Sequence, residues 1–241
     1  MLIVAHRGFS AALPENTLAA FTAAIAAGAD LIETDPRLSR DGVVVCFHDP
    51  TLMRRTGRPG TIADTDHAEL RAIPLAEGDR IPALEEVLDL ARGRVRVALD
   101  VKIPGPAMQD RIAAAARRTG MTGDIVQGVR SVEDCRTLAE RKSCGEILAF
   151  LPGDAEPEAF ARAGAGIVRL WEETLNAEAL AAVREAGCRA WATCGMRRDG
   201  EATGHCTPAR VAALAAAGID GVLLNDPEMA RAALAGNRGA R

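Results

Sequence analysis

The sequence lacks the excess of basic residues that nucleic-acid-binding proteins usually carry. Its 241 residues include 29 lysines and arginines against 33 aspartates and glutamates, which gives a formal net charge of −4. A general nucleic-acid binder usually has a basic patch and a high isoelectric point. The composition therefore argues against that class, while it leaves room for a local basic site that binds a small anionic substrate.

The sequence also lacks a long apolar run and any C-x-x-C pair. No stretch approaches the roughly 20 apolar residues that a membrane-spanning helix needs. The opening segment MLIVA is interrupted by His6 and is too short for the apolar region of a secretory signal. The six cysteines show no zinc-ribbon spacing, so we expect free thiols and a cytoplasmic protein.

Short apolar runs alternate with alanine-rich amphipathic segments along almost the whole chain. Eight of the runs are predicted to be buried strands: residues 2–5, 31–35, 95–101, 124–129, 146–150, 166–170, 189–193 and 221–225. Eight strands with helical crossovers predict an α/β protein with a (β/α)₈ TIM-barrel fold, and we expect residues 1–241 to form one domain. A doubly wound open sheet is the alternative, but no glycine-rich dinucleotide fingerprint follows the first strand.

One segment breaks this alternation. Asp41-Gly42 is a strong hairpin signal, so the strand at residues 43–47 is predicted to fold back beside strand two. Residues 50–81 then form an irregular stretch rich in Thr, Gly, Pro and Asp. Because this stretch is too long for an ordinary loop, we interpret it as a small insertion at the barrel rim.

Carboxylates lie at the carboxyl ends of two predicted strands, where TIM barrels place their chemistry. Glu33 and Asp35 are two residues apart and therefore share a strand face, as do Asp100 and Lys102. Paired carboxylates resist ionising together, and a divalent cation removes that conflict. Ion pairing at a solvated rim explains Glu33 and Asp35 equally well. Asp100 makes a metal site for Mg²⁺ or Ca²⁺ the favoured interpretation.

Two of the four histidines, His6 and His48, also end predicted strands. One neutral and one protonated imidazole form an acid–base pair near neutral pH. Arg7 and Lys102 add cationic donors, and the planar guanidinium matches phosphate oxygens. A metal, two histidines and two cations together predict phosphoryl-transfer chemistry.

The sequence at this point resembles the glycerophosphodiester phosphodiesterase family. The resemblance runs along essentially the whole chain, through these segments in order: HRG (6–8), PENT (14–17), ETD (33–35), DGVVVCFHD (41–49), the T-G-x-x-G-T-I run (56–62), IPALEEVL (81–88), DVK (100–102) and GIDGVLLNDPE (218–228). It implies a TIM barrel with a small insertion. It also implies a divalent metal and hydrolysis of a glycerophosphodiester to glycerol 3-phosphate and an alcohol.

The resemblance also implies roles for individual residues. The positions and their implied roles are His6 and His48 as acid and base, Arg7 and Lys102 as phosphate contacts, Glu33 and Asp35 as metal ligands, and Glu15 and Asn16 as supporting residues. A helix N-cap explains Glu15 and Asn16 equally well. The mechanism implied is attack by the neighbouring glycerol hydroxyl, a cyclic phosphate, and ring opening by water with the histidine roles reversed.

The chain departs from the family pattern at three places. Asp100 stands where a Glu is usual, Asn225 stands where a Thr is commoner, and the loop after Thr193 is longer. We expect Trp191 either to stack on the substrate or to cap the barrel, with Trp171 the weaker candidate. Arg197, Arg198 and His205, in the long loop, either contact a polar or anionic head group or lie on a solvated surface. A lysophospholipid phosphodiesterase and a non-catalytic phosphate-binding barrel are the alternative functions.

Overall fold

The computed structural model describes residues 1–75, 78–103, 105–142, 145–152, 156–196 and 199–236. Its strands are β1 Leu2–Ala5, β2 Leu31–Thr34, β3 Pro36–Leu38, β4 Val44–Cys46, β5 Arg96–Leu99, β6 Ile125–Val129, β7 Glu146–Phe150, β8 Ile167–Trp171, β9 Arg189–Thr193 and β10 Gly221–Leu224. Eight of them form a closed barrel in the order β1-β10-β9-β8-β7-β6-β5-β2, with parallel neighbours throughout. The predicted (β/α)₈ barrel is confirmed, and closure excludes the open sheet.

Helices lie between the strands and after the last of them. They are α1 Leu18–Ala26, α2 Met53–Thr56, α3 His67–Ala72, α4 Leu84–Ala91, α5 Pro106–Thr119, α6 Val132–Arg141, α7 Pro157–Arg162, α8 Ala177–Glu185, α9 Pro208–Ala216 and α10 Pro227–Gly236. Thr17, Ser131, Asn176 and Thr207 cap α1, α6, α8 and α9, each accepting a backbone N–H of the first turn. Within the described part of the chain, no helix combines the length and the apolar character needed to cross a membrane.

The hairpin predicted at Asp41-Gly42 is present, but its returning strand pairs with β3 in a separate two-stranded sheet and not with strand two of the barrel. β3 and β4 pair antiparallel, with Arg37 opposite Val45. The stretch that follows, predicted as a rim insertion, contains α2 and α3 and packs on its own apolar cluster: Val45, Phe47, Leu52, Ile62, Leu70, Ile73, Leu75 and Ile81. Burial of these side chains orders a segment that is short of regular structure.

The barrel interior is filled by side chains from the strands. Its buried residues are Val4, Leu31, Ala98, Val126, Leu148, Phe150, Ile167, Trp191 and Leu223. Because the interior is a packed core, a ligand can reach only the ends of the barrel. In the strand order, β7 is four strands from β1 in either direction, so these two strands face each other across the barrel.

Candidate active site

Three carboxylates meet where β2 and β5 end. Glu33 and Asp35 flank Thr34 at the end of β2, and the Asp100 N–H donates to the Thr34 carbonyl oxygen over 2.9 Å. All three carboxylates are buried, and one oxygen from each lies within 4.8 Å of the other two. The structure thus brings together the three residues predicted to bind a metal.

The electrostatics of this cluster are unbalanced. Burial and the neighbouring charges of Asp35 and Asp100 raise the pKa of Glu33 well above its usual range. Burial also opposes ionisation of Asp100, but Lys102 and Arg130 outweigh it and hold the pKa of that carboxyl below its usual value. Glu33 therefore resists ionisation in this cluster, and a cation placed among the three carboxylates would favour its ionised form.

Asp35 supplies a direct test of whether the cluster fits a metal. Its Oδ1 atom is buried and accepts no hydrogen bond from any described residue, although Lys102 Nζ lies 3.0 Å away. A buried oxygen without a hydrogen bond is costly. An all-oxygen donor set, with one buried oxygen that accepts no hydrogen bond and has only the Lys102 ion pair, fits a hard divalent cation.

Arg7 and Lys102 both contact these carboxylates. The Arg7 N–H donates to Glu33 Oε2 over 2.9 Å, and its Nε lies 3.4 Å from Asp35 Oδ2. Arg7 has a φ of 56°, a left-handed conformation that a non-glycine residue adopts at a cost. Lys102 also pairs with Asp100. Both predicted phosphate-binding cations therefore lie beside the acidic cluster.

Asn16 and Glu15 also lie at the site rather than acting as a helix cap. Thr17 caps α1, which leaves the Asn16 side chain free to donate to Asp35 Oδ2 over 2.9 Å and to accept from Thr34 Oγ1 over 2.7 Å. Glu15 Oε2 accepts from Arg7 over 3.0 Å. These contacts fix the positions of Asp35 and Arg7.

His6, at the end of β1, is held by Asn225. The amide Nδ2 of Asn225 donates to the Thr203 carbonyl over 3.0 Å, which turns its Oδ1 toward His6 Nδ1 at 2.8 Å. His6 must therefore carry its hydrogen on Nδ1, and Nε2 keeps a lone pair. Burial and then the charge of Arg7 lower the pKa of His6 to about 4, so the ring is neutral at pH 7.

Gly204 makes the contact between Asn225 and His6 possible. Its φ is 85°, and a Cβ at this position would lie 2.0 Å from Asn225 Oδ1 and 2.7 Å from His6 Nδ1. Any side chain here would displace the pair, so the loop after β9 and the end of β10 together set the orientation of His6.

His48 has a carboxylate partner instead of an amide. Its Nδ1 lies 2.7 Å from Asp49 Oδ1, so the ring donates from Nδ1 to a carboxylate oxygen. Burial opposes ionisation of Asp49, but Arg54 and His48 lower its pKa to about 2. Arg54, on α2, also bonds Glu15 over 2.5 Å. The rim insertion therefore contributes a residue to the site.

Both histidines, Arg7, Lys102 and two of the three carboxylates border one pocket at the carboxyl ends of the barrel strands. Its lining is His6, Arg7, Glu33, His48, Asp100, Lys102, Arg130, Phe150, Arg169, Trp171, Thr193, Thr203 and Leu223. Trp191 does not fit the stacking role considered for it, because it is 1% exposed and packs inside the barrel against Gly221. Trp171, one step further along the strands, borders the pocket.

Sequence reasoning missed Arg130, Phe150 and Arg169 as pocket residues. Arg130 directly follows β6, so the rule that singled out polar residues at strand ends applies to it as well. Arg169 is the charged residue of an otherwise apolar strand, which is also a signal. Phe150 ends the apolar run ILAF of β7 and carries no such signal.

The long loop after β9 is described only in part. Arg197 and Arg198, considered for head-group binding, lie outside the described residues. His205 is about half exposed and lies 3.3 Å from Glu201.

Two cysteines lie close together near the same loop. The Sγ atoms of Cys194 and Cys206 are 3.1 Å apart, beside Glu172. Arg210 donates two hydrogen bonds, of 2.5 and 2.7 Å, to the Glu172 carboxylate, so the negative charge of Glu172 is already balanced.

The fold and the pocket define a (β/α)₈-barrel protein with an acidic, histidine-containing site at the carboxyl ends of its strands. The sequence profile of the glycerophosphoryl diester phosphodiesterase family matches residues 6–149. The chain belongs to that family, and the expectation raised by its motifs is confirmed.

Curated relatives support the same assignment. The chain is 42% identical over 96 residues to the glycerophosphodiester phosphodiesterase of Caldanaerobacter subterraneus subsp. tengcongensis, covering 37% of this chain and 40% of the relative. It is 37% identical over 113 residues to that of Bacillus altitudinis, covering 42% and 44%. The chain thus spans about half the length, or less, of the curated relatives it matches.

Solved structures match over nearly the whole chain. A glycerophosphodiester phosphodiesterase from Agrobacterium tumefaciens is 27% identical with a TM-score of 0.81, covering 96% of this chain and 99% of that one. A phosphodiesterase from Oleispira antarctica, solved with the product sn-glycerol-3-phosphate, is 21% identical with a TM-score of 0.78, covering 98% and 97%. The second likeness concerns the fold alone.

Proposed function

We propose that this chain is a metal-dependent phosphodiesterase that hydrolyses glycerophosphodiesters to glycerol 3-phosphate and an alcohol. One observation carries the proposal: three buried carboxylates lie within 4.8 Å of one another, and two of them, Glu33 and Asp100, line a pocket that also presents two histidines and several cations. Family membership and a product-bound relative of the same fold are consistent with it.

Glu33, Asp35 and Asp100 would hold the metal, which we propose to be Mg²⁺ or Ca²⁺. The donors are all carboxylate oxygens, the ligands that these hard cations prefer. When bound, such a cation would neutralise the carboxylates and draw electron density from the phosphate. Asp100 has a shorter side chain than the Glu usual in the family. It nevertheless reaches the other two carboxylates, because its N–H is tied to the Thr34 carbonyl.

His6 is the proposed general base of the first step. It is neutral at pH 7 and presents a bare Nε2, since Asn225 accepts the Nδ1 hydrogen. Nε2 would take the proton of the glycerol hydroxyl next to the phosphate. The freed oxygen would then attack phosphorus to form a cyclic phosphate as the bond to the alcohol breaks.

His48 is the proposed general acid of that step. Asp49 accepts from its Nδ1 and fixes the ring, and a proton on Nε2 would pass to the departing alcohol. Water would then open the cyclic phosphate with the two roles exchanged. Arg7 and Lys102 would hold the phosphate oxygens and offset their charge throughout.

A substrate screen followed by ³¹P NMR tests the proposal against its alternatives. With Mg²⁺ or Ca²⁺ present, glycerophosphodiesters should give glycerol 3-phosphate, and EDTA should stop the reaction. Cleavage of lysophospholipids with no turnover of glycerophosphodiesters would favour the lipid-directed alternative. Binding of phosphate without turnover of any diester would favour the non-catalytic barrel and overturn the proposal.

A further inference from the structure

Four residues form an arginine–aromatic wall on one side of the pocket: Arg130, Phe150, Arg169 and Trp171. They come from β6, β7 and β8, the strands that face His6 and β1 across the barrel. Phe150 and Arg169 are register partners on neighbouring strands, so both side chains point inward. The phosphate-binding cations and the proposed metal ligands lie on the other strands.

The two arginines of this wall stack on its rings. Arg130 Cζ lies 4.6 Å from the centroid of Phe150, and Arg169 Cζ lies 4.9 Å from the same centroid. Arg169 Cζ also lies 3.9 Å from the centroid of Trp171. These distances are those of cation–π contacts, which hold each guanidinium in place.

The Phe150 ring and the Arg130 side chain are held in place by neighbouring residues. A Cβ at Gly128, on β6, would lie 2.2 Å from the Phe150 ring, so only glycine lets the ring lie there. Arg130 is held further by hydrogen bonds to the Val101 carbonyl at 3.0 Å and to Asp100 at 2.5 Å. The wall is therefore a built feature with ordered cations.

The glycerol phosphate half is the same in every glycerophosphodiester, so selection among these substrates depends on the charge that the pocket presents to the alcohol. Recognition of a quaternary or primary ammonium needs an open aromatic face or a carboxylate cage. Here Arg130 and Arg169 lie over the Phe150 ring, and Arg169 also lies over the Trp171 ring. Among the described lining residues, four cationic side chains face two carboxylates, Glu33 and Asp100. A bound metal would make the pocket more positive still.

We infer that Arg130 and Arg169 make this pocket selective for glycerophosphodiesters whose alcohol carries an additional negative charge, a carboxylate or a further phosphate, over those with an ammonium alone. This inference rests on the proposed function, whose site it shares. It assigns head-group selection to the wall on β6–β8.

Glycerophosphoserine and glycerophosphoethanolamine are the matched pair that tests it, since they differ by one carboxylate. We expect the wild-type kcat/KM for the serine diester to exceed that for the ethanolamine diester by about tenfold, the effect of one partly screened ion pair. Arg169→Gln should remove most of this ratio. Arg162→Gln on the exposed surface of α7, which makes the same change in net charge, should keep it.

Calorimetric binding of both diesters to the turnover-suppressed His6→Gln variant separates the two proposals. Tighter binding of the serine diester that depends on Arg169, with no turnover by the wild type, would overturn the proposed function and uphold the selectivity. Turnover of both diesters with equal kcat/KM, or an unchanged ratio in Arg169→Gln, would overturn the selectivity alone. Failure of both diesters to bind would overturn both.

Discussion

Acidification should destabilise the folded protein through His6. The ring is 7% exposed, and its pKa falls from 6.5 to about 4 because burial and Arg7 disfavour the imidazolium. A buried neutral histidine binds a proton more weakly in the folded state than in the unfolded state. Its contribution to stability is therefore complete above pH 6.5 and is lost as the pH falls from 6.5 toward 4.

The size of this loss follows from the lowered pKa. One pKa unit is worth about 1.4 kcal/mol. The change from 6.5 to about 4 therefore removes about 3 kcal/mol of unfolding free energy across that pH range. A loss of this size is a large share of the stability of an ordinary domain.

Urea unfolding at a series of pH values from 7 to 4 measures this effect. With EDTA present throughout, the wild type should lose about 3 kcal/mol more than His6→Gln, whose amide can still donate to Asn225. His205→Gln removes an imidazole that is about half exposed and far less enclosed, and it serves as the matched control. Contributions from other carboxyls cancel in the difference between variants. If the unfolding free energies of wild type and His6→Gln fall by the same amount between pH 7 and pH 4, the reasoning is refuted.

Two further predictions concern the contact that holds His6 and the proposed metal site. Asn225→Ala removes the acceptor that fixes His6 and should lower kcat by about 10- to 100-fold with a smaller effect on KM; a normal kcat would show that Asn225 does not position the ring. Mg²⁺ or Ca²⁺ should raise the Tm of the wild type but not that of Asp35→Asn, as measured by differential scanning calorimetry. Equal shifts in the two proteins would place the metal elsewhere.

Much of the fold could be predicted because its signals are local. Buried parallel strands are continuous apolar runs, and each of the eight predicted runs is a barrel strand. The hairpin was signalled by Asp41-Gly42. The acidic cluster was predictable because Glu33 and Asp35 share a strand face by spacing alone.

The pocket wall was not predictable in the same way. Spacing along one strand tells which face a side chain is on, but the depth of that side chain in the barrel depends on the register with its neighbours. Trp191 pairs with Arg169, whereas Trp171 pairs with Thr193, and this places Trp191 one layer deeper. The tryptophan at the pocket is therefore the one that the sequence ranked second.

The orientation of His6 was equally hidden from the sequence. Asn225 was noticed as a departure from the family pattern, but its role depends on contacts with Thr203 and Gly204 from another strand connection. The pairing of His48 with Asp49, by contrast, joins neighbours in sequence. Contacts between residues that are far apart in the sequence can be identified only once the fold is known.

The rate of glycerol 3-phosphate release by wild type, His6→Gln and His48→Gln tests the central claim most directly. With Mg²⁺ or Ca²⁺ and a glycerophosphodiester at saturating concentration, each variant should lose ~10²-fold or more in kcat while its circular dichroism spectrum stays that of the wild type. Near-normal turnover in either folded variant would contradict an acid–base phosphodiesterase site built on these two histidines.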